Sequence, residues 1–204
     1  MKKSLALVLF GALACNCALA ETASTTTSAT GNIIFSGHVD RGAAVVMVKT
    51  PDDRVGTALA DATGTQIVVP SVKLEDLHTN GLGTPRDFYI ELEGYNYKTA
   101  GVMTATVTLN GTCALENSTD SIYKNEVTGD EGARNVGIQL RYKGATASGS
   151  PQTFTNNETI TSTFDNQYNG GYSFHFDAAL YALNKDALTS GAVRSTVNVT
   201  VAYK

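Results

Sequence analysis

The most constraining feature of this sequence is a period-two alternation of apolar and polar residues, which recurs in short runs along nearly the whole chain. From residue 31 onward, for example, Ile33, Phe35 and Val39 fall on one side of an extended backbone, while Asn32 and Ser36 fall on the other. Such alternation is typical of β-strands with one buried face. No window keeps the i, i+3, i+4, i+7 apolar spacing long enough to predict a packed helix. The chain is therefore predicted to be all-β.

Eight further runs are rich in β-branched or aromatic residues and are bounded by Gly, Pro, Asn or Asp, so each predicts a strand. They cover residues 44–48, 66–69, 88–92, 102–109, 136–142, 159–164, 172–183 and 193–203. Eight or nine strands separated by turn signals favour a sandwich of two sheets. The segments 49–65 and 114–135 are long for simple loops, and the sequence leaves their structure open.

The first twenty residues have the composition of a secretory signal peptide. Lys2 and Lys3 form a charged start, residues 5–14 are apolar, and residues 18–20 form a small-residue cleavage site. The predicted organisation is a cleaved signal at 1–20, an N-terminal extension at 21–32 and one β-domain at 33–204. A lipidated Cys15 is the weaker alternative, because Leu13 stands awkwardly for a lipoprotein signal. No later stretch reaches the roughly 18 continuous apolar residues of a membrane helix.

Cleavage changes both the charge and the cysteine count. Loss of Lys2 and Lys3 leaves 13 of the 15 basic residues against 19 acidic ones, a net charge of −6. A chain this acidic is not expected to bind nucleic acid. Cys15 and Cys17 leave with the signal, so Cys113 is the single remaining thiol and no intramolecular disulfide is expected. Cys113 is interpreted as a small buried side chain rather than a reactive one.

The two ends of the predicted domain complement each other. The last predicted strand ends with the sequence, and its backbone and apolar face need a partner if it lies at a sheet edge. Residues 21–30 (ETASTTTSAT) are small and polar, and alone they are expected to be disordered. A sheet edge with unpaired backbone groups and a flexible arm that can pair with such an edge together predict strand addition between copies.

Several segments, taken in order, resemble chaperone–usher fimbrial subunits of the type 1 pilin kind. The segment GNIIFSGHV at residues 31–39 is similar to the motif that follows the N-terminal extension in that family. Segments 88–92, 108–111, 135–140 and 176–182 resemble later strands of these pilins, and VTVAYK at 199–204 resembles the closing strand with its penultimate tyrosine. The ordered set spans nearly all of the predicted mature chain.

The resemblance implies an immunoglobulin-like, Greek-key sandwich that is incomplete and is completed by a donor strand from another subunit. In this family a periplasmic chaperone supplies a temporary strand, and the arm of an incoming subunit replaces it at an outer-membrane usher. The implied function is that of a structural subunit of a bacterial surface fimbria, exported through the periplasm and supporting cell adhesion. The implied partners are other copies or related subunits, the chaperone, the usher and a host receptor. No cofactor is implied.

The resemblance also assigns roles to individual residues. The donor strand is expected within residues 22–32, and the register of its two faces stays open. The acceptor groove is expected beside the C-terminal strand. The donor face in one register is Ala23, Thr25, Thr27, Ala29 and Gly31, and the acceptor residues are Val197, Val199, Val201 and Tyr203.

The disulfide that is usual in these pilins is missing. When the motifs are laid together, Ala44 and Tyr95 stand where its two cysteines would be. A lost bridge forfeits about 2–4 kcal/mol. A buried tyrosine ring packed on a small residue recovers part of that, so we expect the side chains of Ala44 and Tyr95 to be in contact.

Enzymatic and metal-binding functions find little support. His38, His78 and His175 are scattered, and the sequence has no H-E-x-x-H, G-x-S-x-G or Cys-x-x-Cys motif. His38 and His175 are interpreted as surface or satisfied core residues rather than metal ligands. The chain is expected not to be an enzyme. Four Asn-x-Thr sequons, which begin at residues 110, 117, 157 and 198, are interpreted as coincidental.

The alternative function is a self-contained secreted adhesin, a β-sandwich that binds a carbohydrate or a host protein through its loops. Tyrosines such as Tyr89, Tyr97 and Tyr168 offer aromatic contacts for such a ligand. Deleting residues 21–30 discriminates between the two functions. An assembly subunit would lose polymerisation, whereas an independent binding module would keep its activity.

Overall fold

A computed structural model describes residues 28–40, 45–52, 57–58, 65–93, 103–115, 120–145, 149–164 and 172–203. These residues form eleven strands, one α-helix and one 3-10 turn. The elements are β1 (Ser28–Asp40), β2 (Val45–Lys49), β3 (Thr57–Ala58), β4 (Thr65–Lys73), α1 (Leu74–Asn80), β5 (Arg86–Glu93), β6 (Met103–Gly111), β7 (Ile122–Lys124), β8 (Val136–Gly144), β9 (Thr159–Phe164), β10 (Tyr172–Ala182), a 3-10 turn (Lys185–Ala187) and β11 (Gly191–Tyr203).

The strands form two sheets, which confirms the prediction of an all-β, immunoglobulin-like sandwich. One sheet has five strands in the order β4-β1-β11-β6-β9, and the other has six in the order β3-β2-β5-β10-β8-β7. The chain crosses repeatedly from one sheet to the other, as Greek-key connections do. Among the described strand pairs, β1 with β11 is parallel and the rest are antiparallel.

The core between the sheets is built from the inward positions of the alternating strands. Phe88 of β5 stacks on Phe176 of β10, with ring centroids 5.4 Å apart. Phe154 meets Phe176 edge-on at 5.9 Å, and Phe164 meets Phe174 in the same way at 5.8 Å. Edge-to-face and offset arrangements are the favoured geometries of aromatic pairs. The aromatic cluster fixes the six-stranded sheet against β9 and the segment before it.

The helix α1 was not predicted, because it has only two turns and one fully buried side chain, Leu77. So short a segment cannot display the 3.6-residue period that identifies a helix in a sequence. Gly81 ends it in the left-handed conformation (φ 79°) and donates its backbone N–H to the Leu77 carbonyl at 2.8 Å. The short strands β3 and β7 lie in the two segments that the sequence left open.

Several expectations fall on residues that the structure does not describe. These are the signal peptide, the start of the N-terminal extension, and the contact between Ala44 and Tyr95, all of which stay predictions. The expected boundary at residue 32 falls within β1, which continues as one strand from Ser28 to Asp40. Within the described ranges, no helix is long and apolar enough to cross a membrane.

Candidate subunit-assembly site

The strand β1 lies in the slot between β4 and β11. This slot corresponds to the acceptor groove, which the sequence predicted would be filled by a strand from another copy. It pairs in parallel with β11 from Ala29 opposite Gly191 to Asp40 opposite Ala202. On its other side it pairs antiparallel with β4, from Ser28 opposite Lys73 to Phe35 opposite Thr65. One chain therefore closes its own five-stranded sheet.

The expectation that the C-terminal strand is an open sheet edge was wrong for the single chain. β11 has β1 on one side and β6 on the other, where Val197 lies opposite Gly111 and Tyr203 opposite Ala105. The physical reason is that β1 has the β-branched, alternating pattern that the slot accepts, so it satisfies the β11 backbone within the same molecule. In this conformation the sandwich is not short of a strand.

The acceptor residues predicted from the sequence do face the interior. Val197, Val199 and Val201 are buried, and Tyr203 is half-buried against the edge of the core. In β1, Phe35, Gly37 and Val39 lie opposite these three valines. The valines therefore form one wall of the slot that β1 occupies.

Gly31 marks the closest approach of β1 to the opposite sheet. It is buried, and a Cβ added to it would lie 2.7 Å from Cδ2 of Leu180 and 3.1 Å from Cβ of Val69. Two residues on, Ile33 is fully buried opposite Ile67 of β4. The slot is thus shallow at residue 31 and deep at residue 33. The alternation at residues 31–39 predicted which residues of β1 share a face, but it contained no signal that Leu180 and Val69 pack against Gly31.

The far wall of the slot, β4, contains an irregularity. Between Ala29 and Gly31, β1 advances two residues while β4 advances three, from Val72 to Val69, so Pro70 lies in a bulge. Proline has no backbone N–H to donate to a ladder and is found at edge strands and bulges. The ladder between β1 and β4 is therefore weakest near the start of β1.

Of the five predicted donor residues, the structure describes two. Ala29 and Gly31 lie in β1, where they pair with Gly191 and Val193 of β11. Ala23, Thr25 and Thr27 lie outside the described residues. The structure thus brings the end of the predicted donor segment and the predicted acceptor strand together, but within one chain.

A cluster of charged and aromatic side chains lies on the outward face of the six-stranded sheet. Arg141 donates two hydrogen bonds of 2.8 Å to the Asp177 carboxylate, whose side chain is 2% exposed. Lys143 binds Asp87 at 2.9 Å, and His175 stacks on Tyr89 with ring centroids 4.5 Å apart. Charge pairing and stacking explain why these residues tolerate burial.

This outward cluster does not form a metal site. Nε2 of His175 lies 3.7 Å from Asp87 Oδ2, and the described part of the chain contains no group of three His, Cys, Asp or Glu side chains placed to hold a metal ion. His78 lies elsewhere, with Nδ1 2.8 Å from the Lys185 carbonyl oxygen. The side chain of His38 lies outside the described residues.

Cys113 is half-buried and forms an isolated bridge with Tyr123 of β7. Burial raises the pKa of the Cys113 thiol, which disfavours the reactive thiolate. Burial, followed by the nearby Cys113, also raises the pKa of the Tyr123 phenol. Both groups are therefore neutral at physiological pH, and their position favours a packing role.

Comparisons with known proteins give a family match and similarities to solved structures. A family model described as "Fimbrial protein" matches residues 60–204. Among solved structures, the P pilus rod subunit PapA is similar to this chain at 16% identity and a TM-score of 0.41, over 65% of this chain and 88% of PapA. No curated protein matches the sequence.

Proposed function

Because the chain belongs to the fimbrial protein family and is a structural subunit of a surface pilus, we propose that it polymerises by donor-strand exchange. In this reaction the arm of one subunit, with Ala23, Thr25, Thr27, Ala29 and Gly31 on its inward face, replaces β1 in the slot of the next. The arm then lies beside Val197, Val199, Val201 and Tyr203 of β11.

The observation that carries the proposal is the way β1 is attached. β1 fills a slot between β4 and β11, yet within the domain only its C-terminal end continues into another strand, β2. Its N-terminal end leads into the predicted arm. A strand held in this way can be withdrawn and replaced while the covalent path of the other ten strands is unchanged. The single chain is then the stored form of the subunit, closed by its own strand until another arrives.

The energetics of the exchange follow from the two strands. Any extended segment restores the backbone hydrogen bonds of β4 and β11. These hydrogen bonds therefore do not favour β1 over the arm of another subunit. The difference lies in the side chains, because β1 buries Ile33, which stabilises the fold by about 1.5–3 kcal/mol. The arm offers alanine and threonine instead. Replacement is therefore uphill on side-chain burial alone.

An uphill step requires a helper that holds the slot open. The resemblance to chaperone–usher subunits names that helper as a periplasmic chaperone, with an outer-membrane usher as the place of exchange. Both are part of the proposal, as is the route through the periplasm to the cell surface. Support of adhesion would follow from the polymer rather than from a site on the single subunit.

The test removes the part of the arm that precedes β1, which includes Ala23, Thr25 and Thr27. Deleting residues 21–27 leaves all of β1 in place, so the variant should fold as a monomer with the stability of the full chain. In cells that supply the chaperone and usher, it should fail to form fibres that are visible by electron microscopy. Replacing residues 21–27 with a Gly/Ser segment of equal length is the matched control, since it keeps the spacing but not the sequence. Fibres of normal length from the deletion variant would rule out residues 21–27 as part of the donor strand.

The closed sheet of the single chain favours one second candidate, a self-contained adhesin. A sandwich that completes itself does not need a neighbour for stability. The same deletion separates the two functions: an adhesin keeps its binding to host cells without residues 21–27, whereas a pilus subunit loses surface display together with its polymer.

A further inference from the structure

The outward face of the five-stranded sheet has a regular array of threonines. Two T-x-T-x-T runs, in β6 and β9, lie on adjacent antiparallel strands, and their threonines are aligned opposite one another in the register. The hydroxyl oxygens of Thr108 and Thr159 lie 3.2 Å apart. We call this array the threonine grid: Thr104, Thr106, Thr108, Thr159, Thr161 and Thr163.

The grid is accessible and uncharged. Thr159, Thr161 and Thr163 are exposed, and the three threonines of β6 are half-buried. On the adjacent strand β11, Thr200 lies opposite Thr108 and Ala202 opposite Thr106. Within the described residues of β6 and β9, no acidic or basic side chain occurs. This is notable in a chain whose predicted mature form has a net charge of −6.

We propose that the threonine grid is a contact between fibres, in which the grid of one copy packs face to face on the grid of a copy in a neighbouring fibre. Two copies with the same net charge repel each other least where the facing surfaces carry no charged side chains. Each threonine hydroxyl both donates and accepts a hydrogen bond, and each side chain also offers a methyl group. An identical face is therefore a complementary partner, as a two-fold interface requires.

The small area of the grid explains why the occupant is a fibre rather than a free monomer. Two strands about 4.8 Å apart, over five residues of about 3.4 Å each, present on the order of 200 Å² with their side chains. Stable pairs bury about 800 Å² per partner, so one grid contact does not hold two monomers together. A fibre repeats the face along its length, and many weak contacts acting together give avidity. The inference rests on the proposed polymerisation.

The first experiment compares fibres of the wild type with fibres of Thr161→Glu and Thr153→Glu. Thr161 lies in the middle of the β9 row, whereas Thr153 is an exposed threonine beside β8 of the other sheet. The two variants make the same chemical change on different faces. In electron micrographs, wild-type and Thr153→Glu fibres should form side-by-side bundles, and Thr161→Glu fibres should be single. Equal bundling of all three would overturn the proposal.

A second experiment does not depend on polymerisation. Beads densely coated with the monomer, biotinylated within residues 21–27, display the grid in many copies. Wild-type and Thr153→Glu beads should cluster, and clustering by Thr161→Glu beads should fall at least tenfold. If wild-type beads stay dispersed, or all three cluster alike, the grid is not a self-contact. Absence of fibres together with clustering of wild-type beads would count against the proposed polymerisation but support the grid.

Salt provides an independent check on the same beads. Because the contact has no ion pairs while the rest of the chain repels its copies, screening should leave clustering unchanged or increase it. At about 0.5 M salt, where the Debye length is only a few ångströms, wild-type clustering should persist. Its loss there would show that charged groups hold the beads together, which contradicts the proposal.

Discussion

Replacing Gly31 by alanine tests whether β1 occupies the slot as described. The added methyl group would lie 2.7 Å from Cδ2 of Leu180 and 3.1 Å from Cβ of Val69, both closer than carbon atoms normally approach. Leu180 is fully buried, so its end cannot swing into solvent. Overpacking of this kind costs about 1–3 kcal/mol. Alanine also restricts the unfolded chain, which returns about 0.4–1 kcal/mol. We expect a net loss of about 1–2 kcal/mol.

The matched control is Gly83→Ala, which contacts the same leucine. A Cβ at residue 83 would lie 3.5 Å from Cβ of Leu180 and 3.6 Å from Cβ of Val72, which is ordinary van der Waals contact. Gly83→Ala should therefore be neutral or stabilising by about 0.4–1 kcal/mol. Urea unfolding of the two variants at equal concentration measures the difference directly. A shift toward lower urea is expected for Gly31→Ala alone.

A double-mutant cycle identifies the cause of the loss. Leu180→Ala alone should cost about 2–5 kcal/mol, because it opens a cavity in the core. In that background Gly31→Ala should be neutral or better, since its methyl group enters the vacated space. The coupling between the two positions is then about 1–3 kcal/mol and favourable. If Gly31→Ala unfolds at the same urea concentration as Gly83→Ala, then Gly31 does not pack against Leu180 and β1 does not lie between β4 and β11 in this register.

Three further predictions concern other parts of the sandwich. Arg141→Met leaves the buried Asp177 carboxylate without its two hydrogen bonds and should cost about 3–5 kcal/mol in urea unfolding; a loss under about 1 kcal/mol would contradict this pairing. Asn125→Ala removes a side chain that binds four backbone groups and should cost about 1–3 kcal/mol by the same assay. The raised pKa of Tyr123 keeps its phenol neutral in the folded chain, whereas the phenol of the unfolded chain ionises near pH 10. The free energy of unfolding of the wild type should therefore fall above pH 10, by up to about 1.4 kcal/mol per pH unit. Tyr123→Phe should lose less stability than the wild type above pH 10. If the two proteins have the same dependence of unfolding free energy on pH, Tyr123 is not the group responsible.

The positions of most strands follow from the sequence because alternation is a local property. β9 was predicted with the bounds that the structure has, residues 159–164. Two of its three inward residues, Ile160 and Phe164, are apolar and buried, while threonines occupy the outward positions, so the alternation is recognisable within six positions. The strand β7 was not predicted, since only three residues pair and Lys124 ends them. Tertiary packing rather than local pattern buries Ile122 and Tyr123 there.

The pairing of β1 could not be predicted from the same information. The alternation at residues 31–39 shows that the segment is a strand, but it does not show which edge the strand will join. β1 and β11 lie about 160 residues apart in the chain, and their contact depends on loop closure as well as on side-chain fit. Whether the slot is filled within the chain or by a neighbour is a difference between two free energies. The pattern of residues within one strand does not determine that difference in free energy.

If donor-strand exchange is the assembly reaction, the position of β1 decides what drives it. Residues 41–44 tether β1 to β2, so its effective concentration at its own slot is in the millimolar range. The arm of another subunit must compete at its bulk concentration, and it offers small side chains where β1 offers Ile33. Purified subunits should therefore remain monomeric at micromolar concentration. A Gly31→Ala subunit, in which β1 is held more weakly, should admit a competing arm with the wild-type sequence sooner than the wild-type subunit does. Spontaneous polymers of the wild type at micromolar concentration would mean that the slot is not held by β1 in solution.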